Sequence, residues 1–357
     1  MSDNFGIYIH TPWCRVRCPY CAFNVFLNDS ADYPRWVSAI LEAWRATRPA
    51  FSGYAHSLYF GGGTPSLAPG AEITLEANPG QLDHRGLQAL IQSGVNRLSV
   101  GVQTFHPDHA RRLGRGHNVE QTRDLLSTIP TLDLNSWSAD LMFALPGQTL
   151  AELDADLDAL IEAEAPHISL YGLTIEPNTP FADLAERGRL SLPNGEHWGE
   201  MYGHIVERLG QAGLERYEVS NFARPGHRAV HNEQVWRGGR YAGLGPGAHG
   251  FLPSGERTLG HRQLEDWYAD PVPARENPSA EDAALDMLLS TLRHVDGLCL
   301  DALEAETQHR VSTGVLEALS ALNLIRTNAS TIRLTPRAFP VADGVVRRIA
   351  DALIAVG

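Results

Sequence analysis

Cys14, Cys18 and Cys21 fall in one short run, His10-Thr11-Pro12-Trp13-Cys14-Arg15-Val16-Arg17-Cys18-Pro19-Tyr20-Cys21, so any fold of this chain must bring three sulfurs to one point. Thiolates are the usual ligands of iron–sulfur clusters, and a four-iron cluster normally takes four of them. The spacing C-x3-C-x2-C supplies three, which leaves one iron open to an exchangeable ligand. The competing reading is a structural zinc site with His10 as the fourth ligand. It ranks behind, because zinc sites usually combine C-x2-C pairs with ligands farther along the chain, whereas His10 lies in the same run. A disulfide framework ranks lower still. Four cysteines in 357 residues, with Cys299 far from the others, do not make a small secreted scaffold.

The length predicts one large domain and a smaller one. A formal charge of −13 argues against a nucleic-acid partner, whose phosphates are held by clustered Lys and Arg. No apolar stretch reaches the length of a membrane span, and Met1-Ser2-Asp3-Asn4 is not the charged start of a signal peptide. The expectation is a cytoplasmic protein, since a reducing compartment suits an oxygen-sensitive cluster.

Runs rich in branched and aromatic residues predict strands at 6–10, 57–60, 72–76, 97–101, 137–142 and 167–173. Helical spacing of Trp36, Val37, Ile40, Leu41 and Trp44 predicts a helix over 33–48, and Gly94 is placed to end another over 83–92. Thr149-Leu150-Ala151-Glu152 reads as a capping box opening a helix that runs to 162. Strands alternating with helices imply a parallel sheet, and six such units fit an open partial (β/α)6 barrel better than a doubly wound sheet. The unusual residues Cys14, Gly61, Gly62, Gly63, Thr64, Glu76, Gln103, Asp140 and Thr174 all fall at or just past strand ends, the catalytic rim of such a barrel. The expected division is a barrel over 1–220, a loop-rich connection over 221–280, and a C-terminal unit over 281–357. Helices followed by a two-strand ribbon make that last unit winged-helix-like, and its lack of a basic run points to scaffolding or protein contact.

Taken together, several strings carry a resemblance: Tyr8-Ile9-His10-Thr11-Pro12-Trp13-Cys14, Phe60-Gly61-Gly62-Gly63-Thr64-Pro65-Ser66-Leu67, Glu76-Ala77-Asn78-Pro79-Gly80, Gly101-Val102-Gln103-Thr104-Phe105, Asp140-Leu141 with Leu145-Pro146-Gly147, and Ile175-Glu176-Pro177-Asn178-Thr179. In this order they resemble the oxygen-independent coproporphyrinogen oxidase-like family of radical S-adenosylmethionine (SAM) proteins over nearly the whole chain, closest to its branch of HemW-type haem chaperones. The resemblance implies that Cys14, Cys18 and Cys21 bind a [4Fe-4S] cluster whose open iron takes SAM. It assigns Gly61, Gly62, Gly63 and Thr64 to the SAM amine, Glu76 to a carboxylate facing SAM, and Gln103, Arg115 and Asp140 to polar contacts around it. Tyr8 and Tyr20 would line the same pocket.

His231-Asn232-Glu233-Gln234-Val235-Trp236 is similar to that branch's H-N-x-x-Y-W motif, with Val235 in place of tyrosine. A neutral imidazole is a good haem ligand and an indole can pack on a porphyrin face, so His231 and Trp236 become haem candidates, with His249 as a second ligand candidate. Ligation by His231 would weaken as the ring protonates below about pH 6.5. Two features depart from the oxidases: Phe23 stands where they carry a further cysteine, and their N-terminal extension ahead of the cluster is missing. The expected function is therefore a haem chaperone that passes haem to acceptor apoproteins, with a homodimer compatible with that role. The alternative is a radical SAM oxidase or methyltransferase acting on a porphyrin or heteroaromatic. A last expectation concerns 68–71, the short link between Leu67 and the strand at Glu72. The two flanking strands should still pair, with no full helix over that wall and an exposed apolar patch outside it.

Overall fold

Side chains on successive strand residues point to opposite faces, and that period of two builds the wall of this molecule. The computed structural model describes residues 4–27, 31–61, 70–328 and 330–356. Six parallel strands lie side by side in chain order: β1 (Phe5–His10), β2 (Ala55–Gly61), β3 (Glu72–Ala77), β4 (Arg97–Gln103), β5 (Ser136–Phe143) and β6 (His167–Gly172). Their outward residues are apolar and buried, among them Ile7, Ile9, Leu58, Phe60, Leu98, Val100, Ala139, Leu141, Ile168 and Leu170. Their inward residues are largely polar: Tyr8, Ser57, Tyr59, Glu76, Ser99, Asp140 and Ser169. A wall oily outside and polar inside has to curl around its polar face, with helices on the other.

Those helices are set by local chemistry. The helix Tyr33–Thr47 starts where the Asp32 carboxylate accepts from the Arg35 N–H, with a proline in its first turn, and it buries Trp36, Ala39, Ile40 and Ala43. Leu150–Glu162 opens with the expected capping box between Thr149 and Glu152.

The sheet extends beyond six strands. Tyr241–Leu244 pairs in parallel with the free side of β1, and antiparallel strands His249–Phe251, Arg257–Leu259 and Ala274–Glu276 follow it. At the other edge Asn221–Ala223 runs antiparallel to β6 and carries Glu215–Arg216. The sheet therefore contains twelve strands and takes in much of the segment that read as loop. These strands are three or four residues long and punctuated by glycine, too short to show a period. Gly243 is needed because the backbone of His249 passes where a Cβ would sit.

β2 and β3 do pair, with Ser57 opposite Glu72 and Phe60 opposite Leu75. Residues 62–69 between them, including Gly62, Gly63 and Thr64, lie outside the described residues, as does the expectation of a missing helix there. On the outer face of β3, Ile73 and Leu75 are only half-buried, whereas Leu58 and Phe60 beside them are fully covered.

The C-terminal unit contains helices Ala280–Thr291, Leu300–Thr307 and Thr313–Ala321 and an antiparallel ribbon of Ile325–Thr327 with Thr331–Leu334. Leu298–Cys299 adds a third strand to the ribbon. A further helix, Ala342–Ala350, buries Val345, Val346 and Ile349, and the strand Leu353–Ala355 closes on His309–Val311. Its core is continuous with that of the barrel.

Candidate functional site

A cavity of about 690 Å³ opens at the C-terminal ends of the parallel strands. Cys14, Cys18 and Cys21 line it together with Tyr20, Glu76, Gln103, Arg115, Asp140 and Thr174, so one space gathers candidates drawn from six separate stretches of chain. Tyr8 is not among the lining residues, and its hydroxyl is bonded to His10 Nδ1 at 3.0 Å.

The cysteine loop is held at both ends. Trp13–Cys14 pairs with Phe26–Leu27, and the Trp13 ring meets Trp36 and Tyr33 edge-on, at 6.0 and 5.0 Å, tying the loop to the first helix. All three thiols are free and half-buried. Burial pushes the Cys14 thiol up, and the nearby charges of Cys21 and Cys18 add to this, so the three sulfurs repel one another as anions. Three half-buried thiols lining one cavity, with a mutual repulsion to relieve, are a donor set suited to iron. His10, the proposed fourth zinc ligand, has both ring nitrogens engaged, Nδ1 with the Tyr8 hydroxyl and Nε2 with the Asn24 carbonyl at 2.8 Å. It offers no lone pair to a metal beside the cysteines.

Arg115 is the half-buried cation of the site, with Arg15 and Arg17 exposed on the cysteine loop. Its guanidinium donates to the Gly101 carbonyl at 3.0 Å, to the Tyr20 hydroxyl at 3.1 Å, to Cys18 Sγ at 3.9 Å and to Asn78 Oδ1. Burial raises the Tyr20 phenol to about 12, with Arg115 pulling the other way. Burial and the same guanidinium lower His117 to about 4, so this cavity-lining imidazole is neutral. Gly101 lets Arg115 and Asn78 close in, since a Cβ there would stand 2.7 Å from Asn78 Oδ1. Gln103 turns the chain at φ 69°, where the register of β4 against β5 shifts.

Across the cavity stand two carboxylates. Glu76 accepts from the Tyr59 hydroxyl at 2.7 Å, and burial raises its pKa. Its surface is open, but onto the cavity and not onto bulk water. Asp140 accepts from Ser99, which in turn accepts from Ser138 at 3.0 Å. Burial, then the charge of Glu76, raises Asp140 to about 7. A raised carboxyl pKa means that folding takes up a proton between the unfolded value near 4 and about 7, so stability falls as pH rises through that window. Asp140→Asn is therefore expected to be more stable than the parent in denaturant melts at about pH 8, with the difference shrinking as pH falls and nearly gone at about pH 4. A gap that does not change with pH would contradict this. The same two carboxylates make the cavity attractive to a cationic ligand.

His231 and Trp236 are elsewhere. The helix Val230–Trp236 plugs the opposite end of the barrel: His231 is 4% exposed, its Nδ1 lies 3.0 Å from Ser57 Oγ, and its ring packs on Tyr59 at 5.4 Å. A Cβ on Gly6 would lie 2.9 Å from that Nδ1, so β1 itself makes room for the ring. Trp236 packs near Tyr217 at 5.9 Å. As the helix stands here, His231 is closed off from any porphyrin, which could reach it only if this helix left the barrel. Burial also lowers His231 to about 3, so its protonation does not weaken anything near pH 6.5. His249 is exposed on its strand.

Sequence reasoning missed Tyr59, Asn78, His117 and Tyr171. Counting back by two from Gly61 places Tyr59 on the inner face, and Asn78 sat unassigned within a quoted string.

A family model described as the radical SAM superfamily matches residues 8–160. "Heme chaperone HemW" of Synechocystis sp. is 34% identical over 336 residues, covering 84% of this chain and 81% of that protein. The protein of that name from Bacillus subtilis is 32% identical, covering 92% and 94%. Among solved structures, the coproporphyrinogen III oxidase HemN of Escherichia coli superposes with a TM-score of 0.80 over 98% of this chain and 90% of its own, at 19% identity, which is a likeness of fold. With identity above 30% to relatives that it spans for most of their length, this chain belongs to the HemW family within the radical SAM superfamily.

Proposed function

We propose that the protein is a cytoplasmic haem chaperone that holds a [4Fe-4S] cluster on Cys14, Cys18 and Cys21, binds SAM in the cavity, and passes haem to acceptor apoproteins, with the C-terminal winged-helix-like unit as a contact surface. The cluster would supply one-electron chemistry and an open iron for the amino and carboxylate groups of SAM. The chain's own residues do the rest. Glu76 and Asp140 favour a cationic ligand, Arg115 clamps Tyr20, Asn78 and the Gly101 carbonyl into one wall, and neutral His117 adds no charge. Gly61, Gly62, Gly63 and Thr64 are assigned to the SAM amine, and the Tyr8 hydroxyl stands close to Gly61.

The observation that carries chaperone over oxidase is Phe23. It lines the cavity mouth and is 77% exposed at the place where the oxidases carry another cysteine, so an apolar ring replaces a thiol beside the cluster loop. The test is a pair of assays on the cluster-loaded protein with excess SAM. Haem titration should give a Soret band at saturable stoichiometry, and coproporphyrinogen III should remain unconverted. Turnover of coproporphyrinogen would overturn the reading, as would failure to bind haem. His249→Ala should shift or weaken the Soret band, because its exposed imidazole can reach iron without unfolding. His231→Ala should lower stability and leave the spectrum unchanged.

A further inference from the structure

Among the described residues, His106, His109 and Glu152 are the one group of three or more metal-ligating side chains drawn together outside the cysteine site, each offering a ligand atom within 4.8 Å of the others. None of them lines the cavity. His106 follows the end of β4 and His109 lies in the next helix, Pro107–Arg112, while Glu152 stands in the first turn of Leu150–Glu162. We propose that these three side chains bind one divalent transition-metal ion of the zinc class, leaving a fourth position for water.

Distances separate this from a simple ion pair. His106 Nε2 stands 3.2 Å from Glu152 Oε1, and His109 Nε2 stands 3.4 Å from Glu152 Oε2. These are at or beyond the long end of N–H···O bonds. Each is close to the edge of a tetrahedron around an ion with bonds near 2.05 Å, about 3.3 Å, but they run to different carboxylate oxygens, and the three ligand atoms lie within 4.8 Å of one another, so the side chains would draw in on the ion. Glu152 Oε2 also has no need of a histidine donor, since the Thr149 N–H and hydroxyl reach it at 2.8 and 3.0 Å. The His109 side chain is only 5% exposed, yet its Nδ1 has no hydrogen-bond partner, and His106 Nδ1 is buried without one as well. Each ring is thus oriented only by what lies between it and Glu152.

The chemistry of the set is selective. Two imidazoles and a carboxylate suit zinc and its first-row neighbours, whereas magnesium and calcium prefer oxygen alone. The two rings sit 4.8 Å apart at 49°, as neighbouring ligands of one ion can. Thr149, first through its backbone N–H, holds Glu152 at about 2, so the carboxylate is ionised throughout the working range. The ion would clasp the chain after β4, which carries Gln103 and Thr104, to the helix after β5.

The test removes the competing thiolates. The full chain with Cys14, Cys18 and Cys21 all changed to Ala, its fold checked by circular dichroism, is titrated with Zn²⁺ against a chromophoric chelator and with Co²⁺ by visible spectroscopy. One ion per chain and the intense d–d bands of tetrahedral cobalt are expected. His106→Ala and Glu152→Gln should each lower zinc affinity at least about tenfold, the glutamine keeping the capping box intact so that the loss reports ligation and not helix fraying. Absence of zinc binding, or binding unchanged in both variants, overturns the proposal. Should the cysteine-free chain fail to fold, cluster-loaded parent and His106→Ala are equilibrated with zinc, desalted and analysed for metal. Equal zinc in the two would overturn it equally.

Discussion

Cys14→Ala, Cys18→Ala and Cys21→Ala should each leave the protein colourless after anaerobic reconstitution, without the iron, the sulfide or the broad visible absorption of a [4Fe-4S] cluster. The effect is all or nothing because the cavity contains three thiols and no fourth among its described residues, and His10, the histidine of the cysteine run, is spent on Tyr8 and Asn24. With two thiolates left, more of the cluster would rest on exchangeable ligands. Cys299→Ala should change nothing, since that residue is exposed in the C-terminal unit, at the head of the helix Leu300–Thr307. Zinc without iron or sulfide in the parent protein would sink the cluster assignment.

Glu72→Ala should cost about 3–5 kcal/mol, read from the urea midpoint, although the residue lies far from the cysteines in sequence and touches none of them. Its carboxylate stands 3.7 Å from Arg97, a side chain 3% exposed whose Nε and one Nη have no hydrogen-bond partner. It also accepts from the backbone N–H groups of Val230 and His231, both at 3.1 Å, and so pins the start of the plug helix. Removing it strands a buried cation and two helix N–H groups together. Glu72→Gln keeps an acceptor and should lose less. A Glu72→Ala protein within about 0.5 kcal/mol of the parent would mean that water solvates Arg97 in the barrel floor.

The strands of the barrel were legible because each is long enough to show an apolar outer face, and Glu76 and Gln103 because each falls at the end of such a strand, whereas Asp140 lies within Ser136–Phe143 on its inward face. Tyr241–Leu244 was not, since a four-residue strand has no period and gains its place only by lying against β1. His231 is ambiguous in the sequence for a physical reason. A histidine in a ligand motif and a histidine filling the floor of a polar-lined barrel have the same sequence, and only the side chains of Ser57, Tyr59 and Gly6, brought there by two other strands, tell them apart. His106 and His109 carry no signal in the sequence, because Glu152 stands on a different helix and only the fold brings it within 4.8 Å of them.

Buried His231, Ser57, Arg97, His167 and Tyr217 close the lower end of the barrel, and among the described residues the cavity opens at the end where the cysteines stand. A ligand resting on Glu76 and Asp140 therefore lies between the cysteine loop and this floor, and the floor sets how deep it can go.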